Sequence, residues 1–295
     1  MTIYFNLVKQ CGGKYDYGKE SFVQLHEKPF YFRHEFFRFK EGNLWLLGPS
    51  GAGKSTLQKI LMGMLRTYQG SCQVNGMECK NRTRHFYENI GVDFEFSTMY
   101  EKLTARENLQ FFASLYEKKP RPIDRLLKMA GLEQDADKRV AAYSKGMKSR
   151  LNLIKALLHD PLLLCLDEPT SGLDPTNSRL VKDMILDEKA KGKTILLTTH
   201  NMQDAAELCD RVAFIVNGRI CALDSPRNLI MSKGAASVTY TWFENGEHRA
   251  SCPLEQISSD AQLKRLMAEN RLQSIHSSEP NLNDIFMDVT GRTLL

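Results

Sequence analysis

The stretch Gly48-Pro49-Ser50-Gly51-Ala52-Gly53-Lys54-Ser55-Thr56 fits G-x-x-x-x-G-K-[ST], and it constrains this chain more than any other feature. Just upstream, Leu44-Trp45-Leu46-Leu47 reads as a short buried strand. Downstream, Leu57, Ile60, Leu61, Met64 and Leu65 recur at helical spacing. A glycine-rich turn between a strand and a helix has a direct physical use. Gly51 and Gly53 let the backbone curl until its N–H groups face an anion, and the helix starting near Lys54 adds the positive end of its dipole. Lys54 then places a cation on the β- and γ-phosphates of a nucleotide, and the Ser55 hydroxyl is a ligand for Mg2+. The expected fold is α/β, a P-loop NTPase with a core sheet that delivers such loops at the C-terminal ends of its strands.

The rest of the pattern agrees with that class. The apolar run Leu162 to Leu166 ends in Asp167 and Glu168, so a buried strand carries two carboxylates to the ligand-binding end of a sheet. Asp167 is placed to hold Mg2+ and Glu168 to act as general base on an attacking water. Helices are expected near 176–191 and 201–208, alternating with the strands TILLTT (194–199) and VAFIV (212–216), which implies a mostly parallel sheet. Asn217-Gly218 between two apolar strands predicts a type I′ hairpin turn. Residues 96–160 read as helix only, an inserted helical subdomain. Its helices are expected over 102–117, where Thr104 and Glu107 form a capping box, over 123–130, stopping at Gly131, and over 146–158. After Ser225-Pro226 the pattern changes: 237–253 is strand-like and 260–270 helical. The expected division is an ATPase domain over 1–230 and a small α+β appendage over 231–295.

Composition narrows the function classes. With 40 Lys and Arg against 35 Asp and Glu, the net charge of +5 is too weak to imply nucleic acid. No apolar run approaches the roughly 18–20 residues of a membrane-spanning helix, and the N-terminus lacks the blocks of a secretory signal. Seven cysteines, at positions 11, 72, 79, 165, 209, 221 and 252, show no C-x-x-C spacing and read as reduced thiols. A cytosolic chain is the expectation.

In order along the chain, the phosphate loop is followed by IGVDFE (90–95), LTARENL (103–109), YSKGM (143–147), Asp167-Glu168-Pro169-Thr170, Ser171-Gly172-Leu173-Asp174 and Thr199-His200. This series over residues 44–225 resembles the ATP-binding cassette (ABC) transporter ATPases, and SIHSSEPNLNDIFMDVTGRTLL resembles the tail of exporter-type members. The resemblance implies that Ser144, Lys145, Gly146 and Met147 form the signature motif, which caps the γ-phosphate bound to a second subunit. It implies that Asp174 is the acid that communicates between two sites. It implies that His200 contacts the γ-phosphate and orients Glu168, and that Glu95 joins Ser55 and Asp167 at Mg2+. The function implied is ATP hydrolysis energising export through a separate transmembrane permease. The ATPase would work as a homodimer or paired with a second ABC ATPase, at the inner face of the membrane. A soluble ABC-type ATPase acting on a non-membrane partner is the alternative.

Three departures stand out. Lys145 replaces a usual glycine, and either adds charge near the phosphate or points to solvent. Glu95 replaces a usual glutamine; it either offers the metal an anion, which would repel the γ-phosphate without that metal, or is a solvated loop residue. Residues 1–43 lack the family's clean opening strands, and Tyr15, Tyr17 and Tyr31 compete to stack on adenine. The aromatics Phe94, Phe96, Tyr100, Phe111, Phe112 and Tyr116 are expected mostly in the core of the helical insert, with part of them in a groove that receives a permease helix.

Overall fold

The computed structural model describes residues 2–6, 20–25, 28–33, 39–40, 42–68, 71–96, 98–199, 201–233, 237–244, 246–278 and 281–291. Two compact units divide the chain, Met1–Leu223 and Asp224–Leu295.

The first unit is built on a six-stranded sheet. Its order is Arg219–Asp224, Arg211–Val216, Gly42–Leu47, Thr194–Thr198, Leu163–Asp167 and Ile90–Asp93. The pairings among the last five of these strands are all parallel. A parallel sheet covered on both faces needs strands that are apolar throughout. Leu163 to Leu166 and Ile195 to Leu197 meet that need, every one of them fully or almost fully buried. Register sets Thr198 opposite both Leu46 and Asp167. The ends of four neighbouring strands, Leu47, Asp93, Asp167 and Thr198, therefore open on one edge of the sheet, and each leads into a segment singled out above.

The phosphate loop feeds the helix Lys54–Leu61. Gly63 then takes φ +65° and ends it, so Met64 and Leu65 lie beyond the helix and Met64 is half exposed. Apolar spacing alone carried the expectation one turn too far. In the insert, Ala105–Ala113 carries the capping box of Thr104 and Glu107. Ile123–Met129 stops before Gly131 at φ +61°, and Lys145–Ala156 is the third helix. The hairpin turn has both Asn217 and Gly218 in the left-handed region, as a type I′ turn requires.

The N-terminal segment forms strands that its irregular alternation did not reveal. Thr2–Asn6 pairs antiparallel with Ser71–Val74 in a four-stranded sheet, and Glu20–Leu25 pairs with Lys28–Arg33. Of the adenine-platform candidates, Tyr15 and Tyr17 lie outside the described residues, and Tyr31 lies on the strand Lys28–Arg33.

The second unit is a three-stranded antiparallel sheet, ordered Glu247–Pro253, Ser237–Phe243, Leu272–Ser278. Val238, Tyr240 and Trp242 alternate onto one face and pack against Leu263 and Leu266 of the helix Ala261–Ala268. The unit also contains the helices Pro226–Lys233 and Leu282–Thr290.

Candidate active site

The phosphate loop is shaped by close backbone contacts. A Cβ at Gly48 would collide with the carbonyl oxygen of Ile215, so only glycine lets the loop approach the strand Arg211–Val216. The turn of that strand's hairpin also braces the loop: the Gly218 N–H donates to Ala52 O at 2.9 Å. Gly51 at φ +75° and Gly53 at φ +107° make the curl. Lys54 Nζ donates to two carbonyls of its own loop, Gly48 O at 2.5 Å and Pro49 O at 3.1 Å. Burial pushes the Lys54 ammonium down from its ordinary value, while the carboxylates of Glu168 and Asp167 pull it back up.

A cleft of about 400 Å³ collects the residues from Ser50 to Thr56 together with Glu95, Asp167, Glu168 and Thr198. Residues far apart in the chain thus face one space. Asp167 is held by a chain of donors: Gln58 Nε2 donates to Thr198 Oγ1 at 3.1 Å, and Thr198 Oγ1 donates to Asp167 Oδ1 at 2.5 Å. Glu168 has φ +50°, a left-handed conformation that a non-glycine residue adopts only under constraint. Its N–H donates to Thr198 O at 2.9 Å, and Thr199 Oγ1 donates to Glu168 Oε2 at 3.2 Å. The hydroxyls of Thr198 and Thr199 were not given these roles from sequence. The available signal was two threonines at the end of the strand beside the acidic one.

The oxygen donors here suit a hard divalent cation: the Ser55 hydroxyl and the carboxylates of Asp167 and Glu95. Among the described residues no group of three or more His, Cys, Asp or Glu is arranged to hold a metal by itself. The donor set of Ser55, Asp167 and Glu95 fits Mg2+.

The signature residues start the helix Lys145–Ala156. Ser144 is its N-cap, and its hydroxyl accepts from the Met147 N–H at 3.2 Å. Lys145 Nζ lies over Gly172, in the space a side chain there would fill, and Gly146 packs against Asn177. Ser149 Oγ donates to Pro169 O at 3.3 Å. Lys145 is thus folded onto its own chain's 171–174 loop. Asp174 caps the helix Pro175–Ala190, accepting from the N–H groups of Thr176 and Asn177 at 3.1 Å each. Lys145 also lines a second cleft of about 330 Å³ with Asp93, Glu95, Asp167 and Glu168, whereas Ser144 and Asp174 line neither cleft. His200 lies outside the described residues.

The aromatic stretch departs from expectation. None of its six side chains is buried, and Phe96 is 78% exposed. Tyr100, Phe111 and Phe112 contact one another at ring separations of 5.2–6.0 Å and form a surface cluster. The interior of the insert is aliphatic instead, with Leu109, Leu126, Leu127, Leu132 and Leu151 all buried.

Comparison with known proteins shows the family. A family model described as ABC transporter matches residues 36–171. Over 251 residues the chain is 49% identical to a fluoroquinolones export ATP-binding protein of Mycobacterium tuberculosis, covering 84% of this chain and 83% of that protein. It is 37% identical over 268 residues to Nod factor export ATP-binding protein I of Rhizobium meliloti, covering 84% and 80%. A solved ATP-binding subunit of an ABC transporter superposes with a TM-score of 0.66 at 26% identity, covering 79% of this chain and 93% of that one. A dimeric ATP-binding cassette in a post-hydrolysis state, bound to ADP and Pi, shares the fold with a TM-score of 0.62 at 22% identity, covering 76% and 98%. The chain belongs to the ABC transporter family, as one of its ATP-binding and ATP-hydrolysing subunits.

Proposed function

We propose that this subunit energises export through a separate membrane permease, and that it does so as one of a pair of ATPase chains sharing two ATP molecules. The observation that carries this reading is the cleft in which Lys54, Ser55, Glu95, Asp167 and Glu168 meet. The relatives named as export proteins support the direction of transport. No helix among the described residues is long and apolar enough to cross a membrane, so the pore is assigned to the permease.

In this reading the residues from Gly48 to Thr56 bind the phosphates through backbone N–H groups and the Lys54 cation. Ser55, Asp167 and Glu95 would hold Mg2+, which when bound supplies neutralisation of phosphate charge. Glu168 takes the proton of the attacking water on its carboxylate, which Thr199 orients. His200 contacts the γ-phosphate. Ser144 to Met147 of one chain close over the nucleotide held by its partner, and Asp174 carries the state of one site to the other. The surface cluster of Tyr100, Phe111 and Phe112, together with the exposed Phe96 that follows Glu95 in the chain, is the surface offered to a permease helix. The inner face of the membrane is then the place of work.

Glu168→Gln tests the core of this reading. Removal of a positioned base typically costs about 10²–10⁴-fold in turnover. With ATP and Mg2+ the variant is expected to elute as a long-lived dimer in sizing chromatography, and the wild type with ADP as a monomer. Full turnover in the variant would remove Glu168 as the base. A monomer at saturating ATP, in complex with the permease as well, would remove the shared site.

A further inference from the structure

The segment carrying Glu95 leaves the sheet at Asp93, and a buried polar group fastens it to the signature helix. Asp93 is 3% exposed and Asn152, on the helix Lys145–Ala156, is 2% exposed. Asn152 Nδ2 donates to Asp93 Oδ1 and, at 3.0 Å, to the carbonyl oxygen of Phe94. Asn152 Oδ1 accepts from Lys155 Nζ at 2.9 Å, and Lys155 Nζ also donates to Thr98 Oγ1 at 2.5 Å. Two residues three apart on one helix face therefore grip the 94–98 segment at both ends. Toward its N-terminus the same helix meets the 169–177 region through Lys145 over Gly172, Gly146 against Asn177 and Ser149 on Pro169 O.

An apolar pair would fill the space between Asp93 and Asn152 with no desolvation cost. A satisfied polar group fixes register instead, because each donor has one acceptor that meets its geometry. The hydrogen bond to Phe94 O matters most. It is the only one of the four made to the backbone, and it sets the direction in which the chain leaves for Glu95.

We propose that Asn152 is a positioning residue for ATP hydrolysis: by holding the Phe94 carbonyl it fixes Glu95 relative to the signature helix, so that the two segments shift as one piece. The role of Asn152 rests on the reading of Glu95 as a metal-side group, and the test separates the two.

The test compares Asp93→Asn with the double variant Asp93→Asn, Asn152→Asp. In the single variant Asn152 still donates to an oxygen at position 93 and to Phe94 O. In the double variant the new carboxamide at position 93 donates to the new carboxylate at position 152. Lys155 gains a charged acceptor, so the side-chain pairing survives, while the donor to Phe94 O gives way to a carboxylate oxygen that repels that carbonyl. Urea midpoints are measured for both, and kcat is compared well below the unfolding transition of each, so that lost stability is told apart from lost positioning. Relative to the single variant, kcat is expected to fall roughly tenfold or more, as small misplacements near the chemistry do. The KM for ATP should stay within about twofold, because the phosphate loop is untouched, and the Mg2+ concentration for half-maximal hydrolysis should rise. Equal kcat and equal Mg2+ dependence in both proteins would overturn the proposal. Should the carboxylate at position 152 cost the fold, Asn152→Ser in the Asp93→Asn background makes the same comparison. Glu95→Gln is assayed beside them. If it lowers kcat with Mg2+ dependence unchanged, the metal reading of Glu95 fails and the positioning role of Asn152 stands; if it changes neither while the double variant loses kcat, the effect does not pass through Glu95 and the proposal is overturned.

Discussion

Two helices of the first unit begin at residues assigned to the nucleotide, and they begin in different ways. Lys54–Leu61 starts from Gly53 at φ +107°, and no side chain caps it. Lys145–Ala156 starts from Ser144 in extended conformation, with the serine hydroxyl already accepting from Met147. The first four N–H groups of any helix need partners from outside the helix. No side chain meets that need at the phosphate-loop helix, so in the proposed mechanism this half gains stability from an anion and is the one expected to bind ATP by itself. The signature helix meets part of its need by itself, so it is stable empty and contributes when a phosphate is brought to it. The proposed site split between two chains would work in that order: one half captures the nucleotide, and the other closes on it.

Lys54→Ala is the strongest way to break the contrast. Loss of a charge-assisted contact of about 1.5–3 kcal/mol should weaken ATP binding by about 10–150-fold in calorimetric titration. Wild-type affinity would place the phosphates elsewhere. Ser144→Ala should act on the other half alone. Losing an N-cap of about 0.5–2 kcal/mol, it should weaken ATP-driven dimerisation and turnover by about 2–30-fold while leaving the affinity of the single chain for ATP intact. If that affinity fell as far as in Lys54→Ala, the two halves would not be separable.

Glu95→Gln sharpens the contrast at the seam between the halves. Replacing an anion by a neutral oxygen should raise the Mg2+ needed for half-maximal hydrolysis by about a few-fold, and an unchanged requirement would make Glu95 a bystander. The smallest effect is expected at the far end of the signature helix. There the His159 ring stacks on Tyr116 with centroids 3.8 Å apart, and Nε2 meets Ile90 O at 3.0 Å. Burial pushes His159 from 6.5 down to about 4, against the raising effect of the Ile90 carbonyl and of Glu88. A group depressed in this way stabilises the fold above its unfolded value and loses that contribution as pH falls toward its folded value. Between pH 6.5 and 4, Tm should therefore drop by about a few degrees more in wild type than in His159→Phe. Equal drops would acquit the histidine.

What the sequence disclosed depended on range. Local chemistry was legible: the glycines of the phosphate loop, the Thr104 and Glu107 box, and the Asn217-Gly218 turn each declare themselves within a few residues. Gathering Glu95, Asp167 and Glu168 beside Lys54 was legible only through an expected sheet, since strand order brings them together and no spacing states it. Asn152 was invisible for the same reason. A lone asparagine between Lys148 and Lys155 on a helix shows no partner until Asp93, 59 residues earlier, is set beside it. The aromatic cluster misled because size and hydrophobicity favour burial, whereas the insert's interior is filled by leucines. In the second unit, Leu272–Ser278 alternates too weakly to read as a strand, since only Leu272 and Ile275 in that run are apolar.

The brace between Gly218 and Ala52, with Ile215 pressed against Gly48, bears on how the protein is made. A ribosome releases the loop some 160 residues before the turn that supports it, and domains mature as their distant contacts become available. A nascent chain stopped before Arg211 carries the whole phosphate-binding motif and lacks the strand it is moulded against. ATP therefore rewards the finished core and gives little help to the growing one, so the protein must bury its sheet without its ligand. Loss of the 211–218 hairpin, far from the motif in sequence, should leave a chain that displays the signature of a nucleotide-binding protein and does not retain nucleotide.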